Sequence, residues 1–246
     1  MTPSSALAAG EGGRTELAFI SDVHSNLEAL DAVLAQVGEG TKVYCLGDIV
    51  GYGASPNEVV TRLRERGAEC IAGNHDDAVL AGRAPGFSPR AAQAVAWTAR
   101  NVSPENLRVL ASLPRNRTVS VDGRTVYMAH GSPDDNLGEY VYPETHSDLF
   151  GFYLRRLRAD AVALGHTHVP FVWSEGRGGR GTVFNPGSVG QPRSGDRRAS
   201  FASVVIDGGG ISVELRRVEY DAEGAARRVV EAGLPASLAA QLLGEI

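Results

Sequence analysis

Five of the six histidines of this 246-residue chain sit in short segments that also carry an aspartate, an asparagine or a glycine. The segments are Asp22-Val23-His24, Gly47-Asp48, Gly73-Asn74-His75-Asp76, His130-Gly131 and Gly165-His166-Thr167-His168. Their donors are carboxylate and amide oxygens and imidazole nitrogens, with no thiolate, a set that suits manganese, iron, zinc or nickel. Asp22 and His24 are one residue apart, and in extended chain positions i and i+2 point to one side, so both can reach one metal. His166 and His168 repeat that spacing and can bind one metal together or one each. The Asp48 carboxylate has two oxygens with about four lone-pair sites and can bridge two metals. Asn74 offers a neutral carbonyl oxygen in a tight turn. His75, directed to an adjacent position, is left free for proton transfer. His130 completes the set. The chemistry this collection can perform is two-metal hydrolysis of a phosphoester.

Each segment follows a short apolar run that reads as a β-strand: residues 17–20, 43–46, 68–72, 125–129 and 161–164. Polar ligands at the ends of buried strands are where an α/β sheet places its site. Helices are expected at 26–37, with Leu27, Leu30, Val33, Leu34 and Val37 at helical spacing, and at 56–66, where Ser55-Pro56-Asn57-Glu58 has the form of a capping box. The strand–helix alternation of this first third implies parallel pairing. Further helices are expected at 88–101, 103–113 and 146–158, each of the first two opening on Ser-Pro. Asp122-Gly123 between strands 117–121 and 124–129 is a hairpin signal. Residues 132–145 read as a loop and 160–164 as another strand. From Val169 the pattern is strands at 169–173, 182–184, 201–206 and 211–219, with Gly208-Gly209-Gly210 as a hairpin loop and one or two short helices over 222–246. Residues 1–15 read as a disordered leader and 16–246 as one domain.

With 22% charged and 43% hydrophobic residues the composition is that of a globular protein. A net charge of −5 argues against general nucleic-acid or membrane-surface binding. An anionic substrate therefore requires local positive charge, which metals can provide. Cys45 and Cys70 lie in apolar runs and read as buried reduced thiols. The small, polar start lacks the pattern of a signal peptide, and no apolar stretch approaches the ~18 residues that span a bilayer. The reading is cytoplasmic, with a homo-oligomer compatible.

The order Asp-x-His, Gly-Asp, Gly-Asn-His-Asp, His-Gly, Gly-His-Thr-His resembles the calcineurin-like metallophosphoesterase superfamily, and most closely its small bacterial and archaeal phosphodiesterases and phosphatases. The resemblance runs from about residue 16 to 218 and implies an α/β fold, a four-layer α-β-β-α sandwich of two mixed sheets. It also implies two divalent metals, manganese first. Asp22, His24 and His168 would bind one metal and Asn74, His130 and His166 the other, with Asp48 bridging. A hydroxide between the metals would attack phosphorus, and His75 would donate the proton to the leaving group. The two metals, two aspartates and one hydroxide leave a single net positive charge for a phosphate.

The chain departs from the protein serine/threonine phosphatases of that superfamily, which carry an Asp-Arg pair three and four residues after the bridging aspartate. Here those positions are Gly51 and Tyr52. Arg193 is a candidate replacement for the missing phosphate clamp, and Asn26 and Tyr52 are candidates to line the substrate pocket. Specificity is expected to rest on the loops 81–89 and 132–145. The leading expectation is a phosphoesterase for a small phosphodiester or nucleotide. A protein phosphatase, a dinucleoside polyphosphate hydrolase and a non-catalytic metal-binding scaffold are the alternatives.

Overall fold

The computed structural model describes residues 13–176, 181–193 and 195–245; residues 1–12 of the expected leader lie outside the described residues. The chain opens with β1 (Thr15–Ile20), α1 (Leu27–Gln36), β2 (Lys42–Cys45), α2 (Pro56–Glu65) and β3 (Glu69–Cys70). The three strands pair in parallel, as the alternation predicts. Three helices follow: α3 (Asn74–Ala81), α4 (Pro89–Asn101) and α5 (Pro104–Ala111). Ser88 and Ser103 cap the last two by accepting the amides of Ala91 and Asn106.

A second sheet then forms from β4 (Asn116–Val121) and β5 (Arg124–Ala129), followed after α6 (Pro143–Leu157) by β6 (Ala161–Ala163), β7 (Phe171–Ser174) and β8 (Thr182–Asn185). Its order is β4-β5-β6-β8-β7. Asp122 and Gly123, at φ 47° and 72°, make the two-residue turn that joins β4 to β5. The chain returns to the first sheet as β9 (Ala199–Asp207) and β10 (Gly210–Val218), giving the order β10-β9-β1-β2-β3, and ends in α7 (Ala222–Glu231) and α8 (Ala236–Leu243).

Strand alternation sorts the core into layers. Leu17 and Phe19 of β1 meet Val126, Met128 and Phe184 of the other sheet, whereas Ala18 and Ile20 face α1 and α2. Phe19 is fully buried, with the Phe184 ring edge-on at 5.1 Å. On the outer side of the second sheet, Tyr127, Val162 and Val183 pack on Phe150 and Tyr153 of α6. The result is helix, sheet, sheet, helix.

Four local expectations are corrected. The Ser55 capping box does not form. The Ser55 amide already donates to the Ser25 carbonyl at 3.0 Å, so Glu58 has no amide to reach back to. The Asn74–His75 turn is instead the first turn of α3. The α6 helix starts at Pro143, three residues before the expected position, with proline at its first position. Cys45 is buried as expected, but Cys70 is only half-buried; both are free thiols.

Candidate metal centre

All candidate donors leave the C-terminal ends of parallel strands. β1 delivers Asp22 and His24, β2 Asp48, β3 Asn74 and His75, β5 His130, and β6 His166 and His168. Both sheets therefore aim their loops at one place. The dyads are not extended, contrary to the i, i+2 argument. Asp22, His24, Asp48, His166 and His168 take φ of 54°, 48°, 51°, 67° and 62°. Left-handed backbone at residues with a Cβ costs about 1–3 kcal/mol each and persists only where the surroundings over-determine it. Here the amides of Asp22, His24 and Ser25 donate to the carbonyls of Gly47, Asp48 and Ile49, locking the first loop onto the second.

The side chains converge all the same. The facing His24 and His168 Nε2 atoms are 3.1 Å apart, and Asp22 Oδ1 is 3.2 Å from His168 Nε2. On the far side His130 Nε2 lies 3.1 Å from Asn74 Oδ1. Asp48 Oδ2 stands between the two groups, 3.6 Å from His24 Nε2 and 3.4 Å from His130 Nε2, while its Oδ1 accepts the His75 amide at 2.8 Å. Donor atoms of Asp22, His24 and His168, and separately of Asp48, His130 and His166, lie within 4.8 Å of one another.

Backbone carbonyls orient the rings. Nδ1 of His24, His130 and His168 faces the carbonyls of Val50, Leu46 and Gln191, which leaves each Nε2 lone pair pointing inward. His166 is reversed: its Nε2 faces the Gly138 carbonyl, so Nδ1 is the free nitrogen. Burial holds His24 and His166 below the usual histidine range, His166 at about 4. Burial would also lower His130, but the Asp48 carboxylate outweighs it and raises that imidazole to about 9. Burial opposes ionisation of Asp22 and Asp48 too, yet His168 beside the first and His130 beside the second pull both below the usual carboxylate range.

A divalent cation fits this donor set. Two carboxylates exposed by 1% or less have no lysine or arginine partner among the described residues. Burying an ion without a partner costs several kcal/mol. Among the described residues Asp22 Oδ1 has no hydrogen-bond donor, and the facing imidazole nitrogens would repel without a cation or proton between them.

His75 is held by shape rather than by bonds. The rings of Tyr52, Phe87 and His24 surround it at 4.5–4.8 Å, and its buried Nδ1 has no partner among the described residues. Burial lowers it to about 4, against the Asp48 charge. An anionic ligand alongside would raise it. The missing phosphatase aspartate falls on this atom. Gly51 has φ 102°, and a Cβ there would sit 2.5 Å from His75 Nδ1.

Asp76 has no part in the motif reading. Its fully buried carboxylate accepts the amides of Gly73, Ile49 and Val50 at 2.9, 3.3 and 3.1 Å, tying the Asp48 loop to the start of α3. An aspartate at the third position of a helix is a signal for such a bond. Asp76→Ala should lower stability by about 3 kcal/mol or more, since each orphaned buried amide costs about 1–3 kcal/mol. Denaturant midpoints measure this, and an unchanged midpoint would remove Asp76 from the frame.

Of the pocket candidates, Tyr52 and Arg193 border a cleft of about 560 Å³ at the mouth of the centre. Pro85 to Ser88 and Tyr140, from the two loops expected to set specificity, also border it. Asn26 does not. It is 3% exposed, caps α1 through the Ala29 amide and donates to the Gly190 carbonyl. Ser188 likewise bonds the Asp22 carbonyl and the Gln191 amide, in keeping with a packing role.

Residues 16–209 match the model of the calcineurin-like phosphoesterase superfamily domain. An uncharacterized protein of Methanocaldococcus jannaschii is 38% identical over 246 residues, covering 93% of this chain and 98% of its own. The crystal structure of a metallophosphoesterase from Sphaerobacter thermophilus superposes with a TM-score of 0.78 at 35% identity, covering 94% of this chain and 100% of that one. A hypothetical protein of Pyrococcus horikoshii shares the fold, with a TM-score of 0.82 at 22% identity, over 93% of this chain and 97% of its own. With convergent oxygen and nitrogen donors at the strand ends of two packed mixed sheets, the chain belongs to the calcineurin-like phosphoesterase superfamily, whose members hydrolyse phosphoester bonds and generally use divalent metals.

Proposed function

We propose that this chain is a metal-dependent phosphoesterase for a small phosphodiester or nucleotide. Asp22, His24 and His168 would hold one divalent ion, Asn74, His130 and His166 a second, and Asp48 both. The observation that supports the reading is the position of Asp48 Oδ2 between His24 and His130, with no lysine or arginine paired to it among the described residues. Bound there, two divalent ions lower the pKa of water and withdraw charge from a phosphoryl oxygen. The chain's own part is to position and to move a proton. Asp22 and Asp48 fix the charge of the centre, and the backbone carbonyls fix the ring orientations. His75, at the edge of the cleft, passes a proton to the departing oxygen. Manganese is the favoured ion, and the cytoplasm the favoured location; no helix among the described residues is long and apolar enough to cross a membrane.

A cleft of about 560 Å³ is in the range of small-molecule sites. At position 51 there is neither a carboxylate to orient His75 nor room for one, which disfavours phosphoproteins. With Mn²⁺ the full chain should therefore cleave bis(4-nitrophenyl) phosphate and turn over phosphopeptides poorly. A screen over diesters, nucleotides and phosphopeptides tests this. Efficient phosphopeptide turnover with none of any diester or nucleotide would reverse it.

A further inference from the structure

We infer that Arg90 and Arg193 form a second anion subsite in the cleft, which takes a phosphate of the substrate beyond the one being cleaved. The preferred substrate is then a nucleotide carrying a phosphate chain rather than a single phosphate. The inference rests on the phosphoesterase reading of the adjoining centre.

Arg90 is the second residue of α4, and Arg193 lies two residues beyond Gln191, whose carbonyl orients His168. Both border the cleft together with Asn74, His75 and His166 of the centre. No aspartate or glutamate among the described residues borders it, although the chain holds 29 acidic and 24 basic side chains. Several arginines elsewhere are matched, as in Arg62–Asp31, Arg124–Asp160 and Arg198–Asp196. Arg90 has no ion pair or hydrogen bond among the described residues, and Arg193 has only a 3.3 Å bond to the neutral Gln191 side chain.

Two uncommitted guanidiniums facing a cleft without carboxylates make a site for an oxyanion, which their planar forks can bind bidentately. The amino end of α4 opens onto the same cleft through Ser88, Arg90 and Ala91 and adds partial positive charge. The two candidate metals account for one phosphate, so two further cations call for another. An aromatic platform completes the class. Tyr140, a residue 46% exposed, stacks on His166 at 3.8 Å, the kind of surface on which a nucleobase stacks.

Calorimetric titration of the full, manganese-loaded chain with AMP and with the α,β-methylene analogue of ADP tests the subsite. The analogue should bind wild type about tenfold more tightly than AMP, the worth of one charge-assisted contact. Arg90→Ala should shrink that advantage below about twofold, with Arg90→Lys intermediate, because an ammonium keeps the charge but not the fork. Equal binding of the two ligands by wild type, or an equal loss of both in Arg90→Ala, would overturn the inference. Hydrolysis of bis(4-nitrophenyl) phosphate by wild type is the separate check. If it fails while the preference for the analogue holds, the phosphoesterase reading falls and the subsite stands. If it succeeds without a preference, the subsite alone falls.

Discussion

Asp48→Asn should reduce the metal content of the purified protein from two ions per chain to one or fewer and lower activity by about 10³-fold. The side chain sits between the two donor groups, with Oδ2 facing His24 and His130 and Oδ1 holding the His75 amide. Asparagine keeps the volume and one acceptor oxygen, so the bond to the start of α3 survives and the fold should stay intact. The substitution removes the negative charge that two cations would share. A metal ion contributes several kcal/mol of charge stabilisation, and each 1.36 kcal/mol is a factor of ten in rate. Elemental analysis at saturating Mn²⁺ gives the count, and circular dichroism confirms the fold. Two ions retained at unchanged affinity would dismiss Asp48 as the shared ligand.

His75→Ala should act differently. Both metals should stay while kcat falls by about 10²–10⁴-fold, the usual worth of a positioned proton donor. The loss should be large for an alkyl leaving group and small for nitrophenolate, which leaves without protonation. Metal retention is the decisive arm, because donor atoms of His24, Asp48 and His75 also lie within 4.8 Å of one another. A ligand role would make His75→Ala behave like His168→Ala, which should lose metal first and activity with it. Release of a metal ion, or equal losses for alkyl and nitrophenyl leaving groups, would end the proton-donor assignment.

The layers and most of the candidate centre were legible because they follow from local pattern. The apolar runs before Asp22, Asp48 and His130 alternate in facing, as Leu17 and Phe19 do against Ala18 and Ile20, and a buried strand must end where its polar residues begin. The short helix α3 was not legible. Asn-His-Asp-Asp has no apolar periodicity, and what starts the helix is Asp76 reaching back to Gly73 and across to Ile49 and Val50, the last two contacts spanning 27 and 26 residues. The left-handed dyads were hidden for the same reason: Asp22 and His24 are fixed by carbonyls of the neighbouring loop. Arg90 escaped notice because nothing in its sequence context marks it. Only the fold brings the start of α4 to the mouth of the centre.

Gly51 bears on how this enzyme class could be re-engineered. The first of the two positions that separate it from the protein phosphatases is not a side chain waiting to be exchanged, because at φ 102° a β-carbon would collide with the imidazole it is meant to support. A single codon change therefore cannot move the chain across that boundary. The smallest transplantable unit is the whole loop between β2 and α2, residues 46–55, exchanged together with its backbone path. At this position the limit on substrate range is a shape of main chain rather than the choice of a side chain.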